Sequence, residues 1–233
     1  MSITPRVQKL RQQSLAAVES LSSERAELMT AFYQQQGKRM LSMPVQRALS
    51  FQYLMEHKTI CINDGELIVG EKGPAPKAAP TFPELCCHSL SDLDILNARE
   101  KTHFKVSAQT RQAYESMVIP FWEGRSMRDL IFQEMTLAWK DAYEAGIFTE
   151  FMEQRAPGHT VADDKIYRLG MLDFQAQIGE RLAALDFLHD AQAYERQEEL
   201  KAMHIAAGAL VRFAERHAEK ARQMAAQEND PQR

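Results

Sequence analysis

The strongest constraint on the fold is a stripe of apolar residues near the end of the 233-residue chain. The stripe recurs at gaps of three and four residues and consists of Leu200, Met203, Ala207, Leu210, Ala214, Ala218, Ala221 and Met224. This spacing predicts a long α-helix whose apolar side is a packing surface rather than a cofactor site. Asn229, Asp230 and Pro231 follow it, a combination typical of a helix end.

The same periodicity predicts helices over residues 1–57 and over most of residues 89–233. The Ser22-Ser23 pair can cap a helix that carries Glu24 in its first turn, where the helix dipole favours an anion. Pro44 suits the first turn of the next helix. Later in the chain, Ser107 is a candidate cap for a helix that ends before Pro120, and Met171 to Phe187 reads as a further helix.

Residues 58–88 break the helical pattern. Two apolar runs, 59–62 and 66–69, flank Asp64-Gly65, a strong two-residue turn signal, so this region predicts a β-hairpin. Residues 73–83 contain four prolines, which predicts an extended arm without regular structure. The expected fold class is therefore mainly α with a small β-hairpin.

Composition excludes several classes of function. The net charge is −4, from 28 basic and 32 acidic residues, so the chain has no basic field for nucleic acid or an anionic membrane. No apolar run approaches the ~18 residues of a membrane helix, and the first residues lack the apolar core of a signal peptide. With three cysteines, an odd number, we expect reduced thiols and a cytoplasmic location.

The cysteines and histidines do not by themselves predict a catalytic or metal-binding site. The cysteines are Cys61, Cys86 and Cys87, and adjacent cysteines do not have the spacing of structural zinc sites, so no metal site is predicted and buried thiols are the preferred interpretation. His159 follows Pro157-Gly158 on a predicted sharp turn, but no partner for it is evident. Phosphate-binding glycine loops and the G-x-S-x-G elbow are absent from the sequence.

Four short motifs, in order along the chain, carry a family resemblance: Glu24-Arg25-Ala26, Pro44-x-x-Arg47-Ala48-Leu49, the run from Asp64 to Gly70, and Pro120-Phe121-Trp122. Together they resemble the N-terminal part of glycyl radical enzymes of the pyruvate formate-lyase type. The resemblance implies that residues 1–233 are the N-terminal helical region of an α/β-barrel fold. It also implies that the C-terminal glycine radical domain is absent.

Longer runs point to one branch of that family. Residues 62–73, 79–81, 83–88 and above all 148–161 resemble the hydroxyproline dehydratases, while glycerol, propanediol and choline-cleaving relatives share parts of the pattern and stay open as alternatives. The resemblance implies that Phe151 and His159 bind the substrate. A phenylalanine can pack on the apolar face of a pyrrolidine ring, and a histidine can donate a hydrogen bond to a hydroxyl or carboxylate.

The resemblance implies radical elimination of water. In this family an iron–sulfur activating enzyme uses S-adenosylmethionine to form a glycyl radical, which generates a thiyl on a cysteine of a Cys-x-Glu motif. The present sequence has no Cys-x-Glu, and none of its ten glycines precedes a tyrosine. We therefore expect no catalytic residue and no bound cofactor in these 233 residues, and no turnover by the isolated chain.

The expected partners are a small-molecule substrate, the activating enzyme, and either the missing C-terminal half or a further copy of the chain. Two other readings stay open. One is a non-catalytic helical module that associates with a full-length glycyl radical enzyme, and the other is a helical domain with no retained role. The DNA beyond codon 233 separates them, because a downstream Cys-x-Glu and a radical glycine would support the enzyme.

Overall fold

The computed structural model of this chain describes residues 3–36, 40–148 and 163–229, and it is mostly helical. In chain order the elements are α1 (Pro5–Ala16), β1 (Ser20–Ser22), α2 (Glu24–Gln36), α3 (Met43–His57), β2 (Ala78–Pro80), α4 (Leu90–Ala98), α5 (Ala108–Ala113), a π-helix (Tyr114–Val118), α6 (Ile119–Trp122), α7 (Met127–Glu134), α8 (Leu137–Glu144), a 3-10 helix (Asp163–Tyr167), α9 (Met171–Ala183) and α10 (Ala193–Gln227). The mainly α prediction is confirmed.

The main core forms where α2 meets α4 and the π-helix. Its buried apolar side chains are Leu21, Ala26, Met29, Leu93, Tyr114, Val118 and Trp122. The Trp122 indole of this core donates to the Thr30 hydroxyl at 2.9 Å, and Thr30 in turn donates to the Ala26 carbonyl at 2.7 Å. This chain of bonds satisfies the indole N–H, which would otherwise be costly to bury.

A second core joins α3 to α10. Ala48 packs near Ala202, and Met55 packs near Ala209. Arg216 closes this contact, because its guanidinium donates to the carbonyl oxygens of Met55 (2.6 Å) and Lys58 (2.8 Å), which the end of α3 leaves without helical partners.

The predicted C-terminal helix is confirmed and begins at Ala193, earlier than the stripe indicates. The stripe is only partly its buried side. Ala207 is buried, but Met203 is 54% exposed, and the helix packs instead through Ala202 and Ala209. Small residues allow close approach to α3, which the apolar pattern alone does not reveal.

Local signals for helix ends are mostly confirmed. The Ser22 hydroxyl accepts from the Glu24 amide at 3.3 Å, and the Ser107 hydroxyl accepts from the Thr110 amide at 3.0 Å. The helix that starts at Ser107 does not end before Pro120, as predicted, but continues through the π-helix into α6. Pro120 therefore lies within a continuous helix, next to the π-helical turn in which the Ile119 amide donates to the Tyr114 carbonyl five residues back.

The predicted β-hairpin is wrong, since residues 58–73 form no strand. The turn itself is present: Gly65 has φ +84°, and the Glu66 amide donates to the Asn63 carbonyl at 3.3 Å. The Glu66 carboxylate, however, accepts from the Asn63 amide at 2.9 Å, which occupies a donor near the turn. Within the described residues nothing packs on the apolar run, as the 88% exposure of Ile68 shows. An isolated two-stranded hairpin without such packing is only marginally stable in water.

The strands that do form are distant in sequence. β1 and β2 pair in parallel, with Leu21 opposite Ala79, so the predicted unstructured arm contains a short strand. Lys105 adds an isolated bridge to Ser20 on the same strand. This two-stranded sheet is the sheet of the described residues, and it does not show the α/β-barrel that the family resemblance implies.

Candidate functional site

Two of the three cysteines, Cys61 and Cys87, sit in surroundings that keep their thiols protonated. Cys87 packs against the main core, and burial, followed by the nearby Asp129 carboxylate, raises the pKa of its thiol to about 12. Burial, then Glu71, raises the pKa of Cys61 in the same direction. A reactive cysteine needs a lowered pKa, so these thiols are poor nucleophiles. This agrees with the interpretation of structural thiols.

Neither a disulfide nor a metal accounts for these cysteines. None of the three forms a disulfide, and all three are partly buried. Across residues 3–36, 40–148 and 163–229, no group of three or more histidine, cysteine or acidic side chains is arranged to hold a metal ion. In the same ranges no helix combines the length and the apolar composition needed to cross a bilayer.

Residues 73–88, which comprise the Pro-rich run and two of the cysteines and are from here on called the arm, are fixed to α2 by an ion pair. Arg25 forms a bidentate pair with Glu84, and its guanidinium also donates to the Thr81 carbonyl at 3.1 Å. The same guanidinium lies 3.9 Å from the centre of the Phe82 ring, a cation–π contact. The arm therefore has a defined position on the core.

The arm in turn positions α7. The amides of Met127 and Arg128 donate to the carbonyls of Glu84 (2.9 Å) and Leu85 (3.0 Å). Ser126 caps the helix in a reciprocal arrangement with Asp129, which satisfies further amides of the first turn.

A cation–aromatic cluster then holds α8 against α7. The Arg128 guanidinium lies over the Phe132 ring at 4.5 Å and donates to the Tyr143 hydroxyl at 3.2 Å. Phe132 and Tyr143 also meet edge to face, with ring centres 5.0 Å apart. After α8, Phe148 packs on Trp139 with ring centres 5.0 Å apart.

The predicted substrate-binding residues follow directly in the chain. Phe151 and His159 belong to residues 149–162, which lie outside the described residues. What the structure does describe is the approach to them, through α7, α8 and Phe148. The prediction that these two residues bind a substrate therefore stays a prediction.

An apolar groove opens between α7 and α8, here called the α7–α8 groove. It is wide open to solvent, has a volume of about 610 Å³ and is lined by Leu130, Ile131, Glu134, Met135, Thr136 and Trp139. Leu130 and Trp139 are each 53% exposed, and neither helix has a buried residue. Glu134 is the one ionisable residue among those that line the groove. The groove is therefore better suited to contact with an apolar surface than to acid–base chemistry. The sequence does not predict this groove, although its apolar residues recur at helical spacing.

Comparison with known proteins decides the family. Residues 2–233 match the sequence model of the pyruvate formate lyase-like family. The chain belongs to this family of glycyl radical enzymes. It is 51% identical over 226 residues to trans-4-hydroxy-L-proline dehydratase of Clostridioides difficile, a match that covers 97% of this chain and 28% of that enzyme.

Solved structures of glycyl radical enzymes share the fold. The structure of hydroxyproline dehydratase from Clostridioides difficile, with trans-4-hydroxy-L-proline bound, superposes with a TM-score of 0.91 at 50% identity, over 98% of this chain and 29% of that one. The glycerol-bound form of the B12-independent glycerol dehydratase from Clostridium butyricum gives a TM-score of 0.89 at 26% identity, over 100% and 29%. The chain thus spans less than a third of the length of the glycyl radical enzymes it matches.

Proposed function

We propose that this chain is part of the framework of a trans-4-hydroxy-L-proline dehydratase and supplies one wall of its substrate pocket. The observation that carries the proposal is the 51% identity to the Clostridioides difficile enzyme along 97% of the chain. The glycerol dehydratase has nearly the same fold at 26% identity, so fold alone does not select the substrate. The run from Phe148 to Val161, which resembles hydroxyproline dehydratases, adds the selective element.

In this proposal the chain binds and orients, and other residues carry the radical. The His159 imidazole donates a hydrogen bond to the leaving hydroxyl or the carboxylate of the substrate, and Phe151 packs on the pyrrolidine ring. The thiyl radical and the glutamate base belong to a Cys-x-Glu motif, which these 233 residues do not contain. A glycyl radical, formed by an activating enzyme with S-adenosylmethionine, generates that thiyl. Cysteines that form no disulfide are typical of proteins of the reducing cytoplasm, where we place the reaction.

The test is a chimeric enzyme. The 233-residue chain replaces the segment of the Clostridioides difficile dehydratase that it matches, and the product is activated anaerobically with activating enzyme and S-adenosylmethionine. We expect dehydration of trans-4-hydroxy-L-proline. In a matched control, the corresponding segment of the Clostridium butyricum glycerol dehydratase takes the same place, and we expect it to support much less turnover of this substrate.

Two substitutions in the chimera test the proposed pocket wall. His159→Ala removes a hydrogen bond to a polar or charged group, worth about 1.5–3 kcal/mol, so kcat/KM falls about 10- to 150-fold. Phe151→Ala removes a buried apolar contact of about 1.5–2 kcal/mol, so kcat/KM falls at least about tenfold. The controls are His204→Ala and Phe187→Ala, which change exposed residues of the same types.

The outcomes separate the readings. If the chimera is folded but inactive, the chain is not a dehydratase framework, and the interaction-module reading replaces it. If the chimera is active and neither substitution lowers kcat/KM more than its control does, the assignment of Phe151 and His159 is wrong.

A further inference from the structure

The Asp64-Gly65 pair, predicted as the turn of a hairpin, has no part in the proposed function. The turn forms, but residues 58–73 contain neither helix nor strand. Gly65 has φ +84°, and the Asp64 side chain is 44% exposed. It is the one Asp-Gly pair of the sequence, which has no Asn-Gly pair. An exposed aspartate is thus followed by a glycine outside regular structure.

An aspartate in this setting can react with its own backbone. The Gly65 amide nitrogen attacks the side-chain carboxyl carbon of Asp64, and the carboxyl hydroxyl leaves with the amide proton as water, which closes a five-membered succinimide. Glycine favours the attack because it has no Cβ to crowd its nitrogen. Water then opens the ring, and opening at the α-carbonyl leaves the chain running through the side chain, as isoaspartate. The two steps release and return one water molecule, so no oxidant or reductant is needed.

The packing around the turn leaves room for ring closure. Closure requires rotation about the backbone and side-chain torsions of Asp64. Leu67 and Ile68, which follow the turn, are 78% and 88% exposed, and a cleft of about 650 Å³ separates this loop from α1. A loop with few buried contacts opens at low cost in free energy while the rest of the fold stays intact. The turn can therefore reach the reactive conformation without global unfolding.

Asn63 also carries a side chain that forms succinimides, but its surroundings hold it. Its backbone amide and its side-chain amide donate to the Glu66 carboxylate at 2.9 and 2.7 Å, and the side-chain amide also lies 3.2 Å from a carboxylate oxygen of Glu71. These bonds restrict the rotation that ring closure requires, and the residue that follows, Asp64, carries a Cβ. The favoured site is therefore Asp64 and not Asn63.

The same turn holds α1 to the loop. The Asp64 carboxylate forms an ion pair with Lys9, and the Leu10 side chain lies 3.9 Å from the position that a Cβ on Gly65 would take. No residue of α1 is buried, so contacts of this kind matter for its position. Isoaspartate adds a methylene to the backbone and leaves the carboxylate directly on the α-carbon. The carboxylate and the glycine then cannot both keep their places against α1.

We propose that Asp64 is a site of spontaneous isomerisation through a succinimide with Gly65, and that the isoaspartate releases α1 from the loop. The product has the chemistry that isoaspartyl carboxyl methyltransferases recognise: its free α-carboxylate takes a methyl group from S-adenosylmethionine, which leaves a methyl ester and S-adenosylhomocysteine. The reacting groups all belong to this chain, so the site does not depend on the proposed dehydratase function.

Ageing of the folded chain at neutral pH, read by tryptic peptide mapping and by tritium transfer from S-adenosylmethionine with an isoaspartyl methyltransferase, tests the site. The tryptic peptide 59–72 contains Asp64 as its one aspartate. Peptide 182–196 is the matched internal control, because Asp186 and Asp190 also lie outside the helices and contact basic side chains, but neither precedes a glycine. We expect at least about ten times as much isoaspartate in the first peptide as in the second.

The control variant is Asp64→Glu, which keeps a carboxylate for Lys9 but would have to close a less favourable six-membered ring. Its isoaspartate in peptide 59–72 should fall to the level of peptide 182–196. The chain unfolded in urea gives the reference rate without any fold. Equal isoaspartate in the two peptides of the folded chain would overturn the proposal. So would a folded rate below about a tenth of the unfolded one, since the fold then holds the turn closed to reaction.

Limited proteolysis tests the release of α1. Trypsin cleaves after Lys9 and Arg11 only when the helix opens, and the rate follows the population of the open form. We expect ageing to raise this rate about two- to fivefold, the range that loss of an exposed ion pair produces, and to leave it unchanged in Asp64→Glu. Isoaspartate at Asp64 with an unchanged cleavage rate would overturn the link to α1.

Discussion

Arg25→Met, paired with Glu84→Gln, tests whether the ion pair between α2 and the arm is a major source of stability. The two side chains are 17% and 22% exposed, and the bidentate geometry satisfies most of the hydrogen-bonding capacity of both groups. Methionine keeps much of the volume of the arginine stem but removes the charge. Glutamine keeps the shape of the glutamate and one acceptor oxygen.

The size of the effect follows from this burial. Breaking a fully buried ion pair by removing one partner costs about 3–5 kcal/mol, since the other charge is left unpaired. Because roughly a fifth of each side chain is exposed, solvent screens part of this cost. We therefore expect loss of the ion pair in Arg25→Met to lower the free energy of unfolding by about 2–3 kcal/mol. Loss of the stack on Phe82 adds about 0.5–1 kcal/mol. The coupling energy of the double-mutant cycle should be about 1.5–3 kcal/mol.

The assay is urea unfolding of the four members of the cycle, followed by far-ultraviolet circular dichroism. The matched control is the pair between Lys9 and Asp64, whose side chains are 52% and 44% exposed, and for which we expect a coupling of about 0–1 kcal/mol. Raising the salt concentration should weaken the control pair more than the buried pair. A coupling between Arg25 and Glu84 no larger than that of the control pair would refute the reasoning.

Three further predictions concern single sites. Gly73→Ala should destabilise the chain in a urea titration, since a Cβ would lie 2.1 Å from the Ala78 carbonyl oxygen, whereas Gly179→Ala, in open space on α9, should add about 0.5–1 kcal/mol. Folding raises the pKa of the Cys87 thiol from 9.0 to about 12, so the unfolded chain loses this proton at lower pH than the folded chain does. The stability of the fold should therefore fall as the pH rises from 9 towards 12. Cys87→Ala should reduce this fall in thermal stability over the same pH range. Tyr114→Phe removes a buried hydroxyl that lies near the Thr81 side chain without forming a hydrogen bond of good geometry, so calorimetry should find nearly unchanged stability.

The sequence predicts well those features of the fold that depend on residues close together in the chain. Ser107 identifies its helix start because a cap needs only the amide three residues on, and Pro44 identifies another because its φ suits a first turn. The pairing of Leu21 with Ala79 has no such local signal, since it joins short segments far apart in the sequence. Neither segment alternates over enough residues to predict a strand.

The hairpin prediction failed for a related reason. Asp64-Gly65 predicts a turn, and the turn forms, but strand pairing beyond it depends on what covers the apolar side chains. In the described residues nothing covers Leu67 or Ile68, which are 78% and 88% exposed. Turn chemistry is local, whereas burial belongs to the whole assembly.

The candidate site also has one part that the sequence predicts and another part that only the structure shows. Phe151 and His159 came from the family resemblance, because no feature of an isolated phenylalanine or histidine predicts a pocket. The α7–α8 groove came from the structure, because apolar residues such as Leu130 and Trp139 are equally compatible with a buried helix until their exposure is known. The sequence motifs indicate the family, and the structure shows the exposed apolar groove between α7 and α8.

The segment from Pro83 to His88 shows why a run with two cysteines can mark a family without catalysing its reaction. Its Glu84 side chain holds the arm to Arg25, while the Glu84 and Leu85 carbonyls accept from the first amides of α7. Neither function uses a thiol, and the raised pKa of Cys87 keeps that sulfur protonated. The arm therefore fixes the position of α7 relative to the core. Arg128 of α7 in turn holds α8 through the Tyr143 hydroxyl, shortly before residues 149–162. We therefore expect a change at Arg25 to shift α7 through these backbone contacts, although Arg25 itself lies on α2.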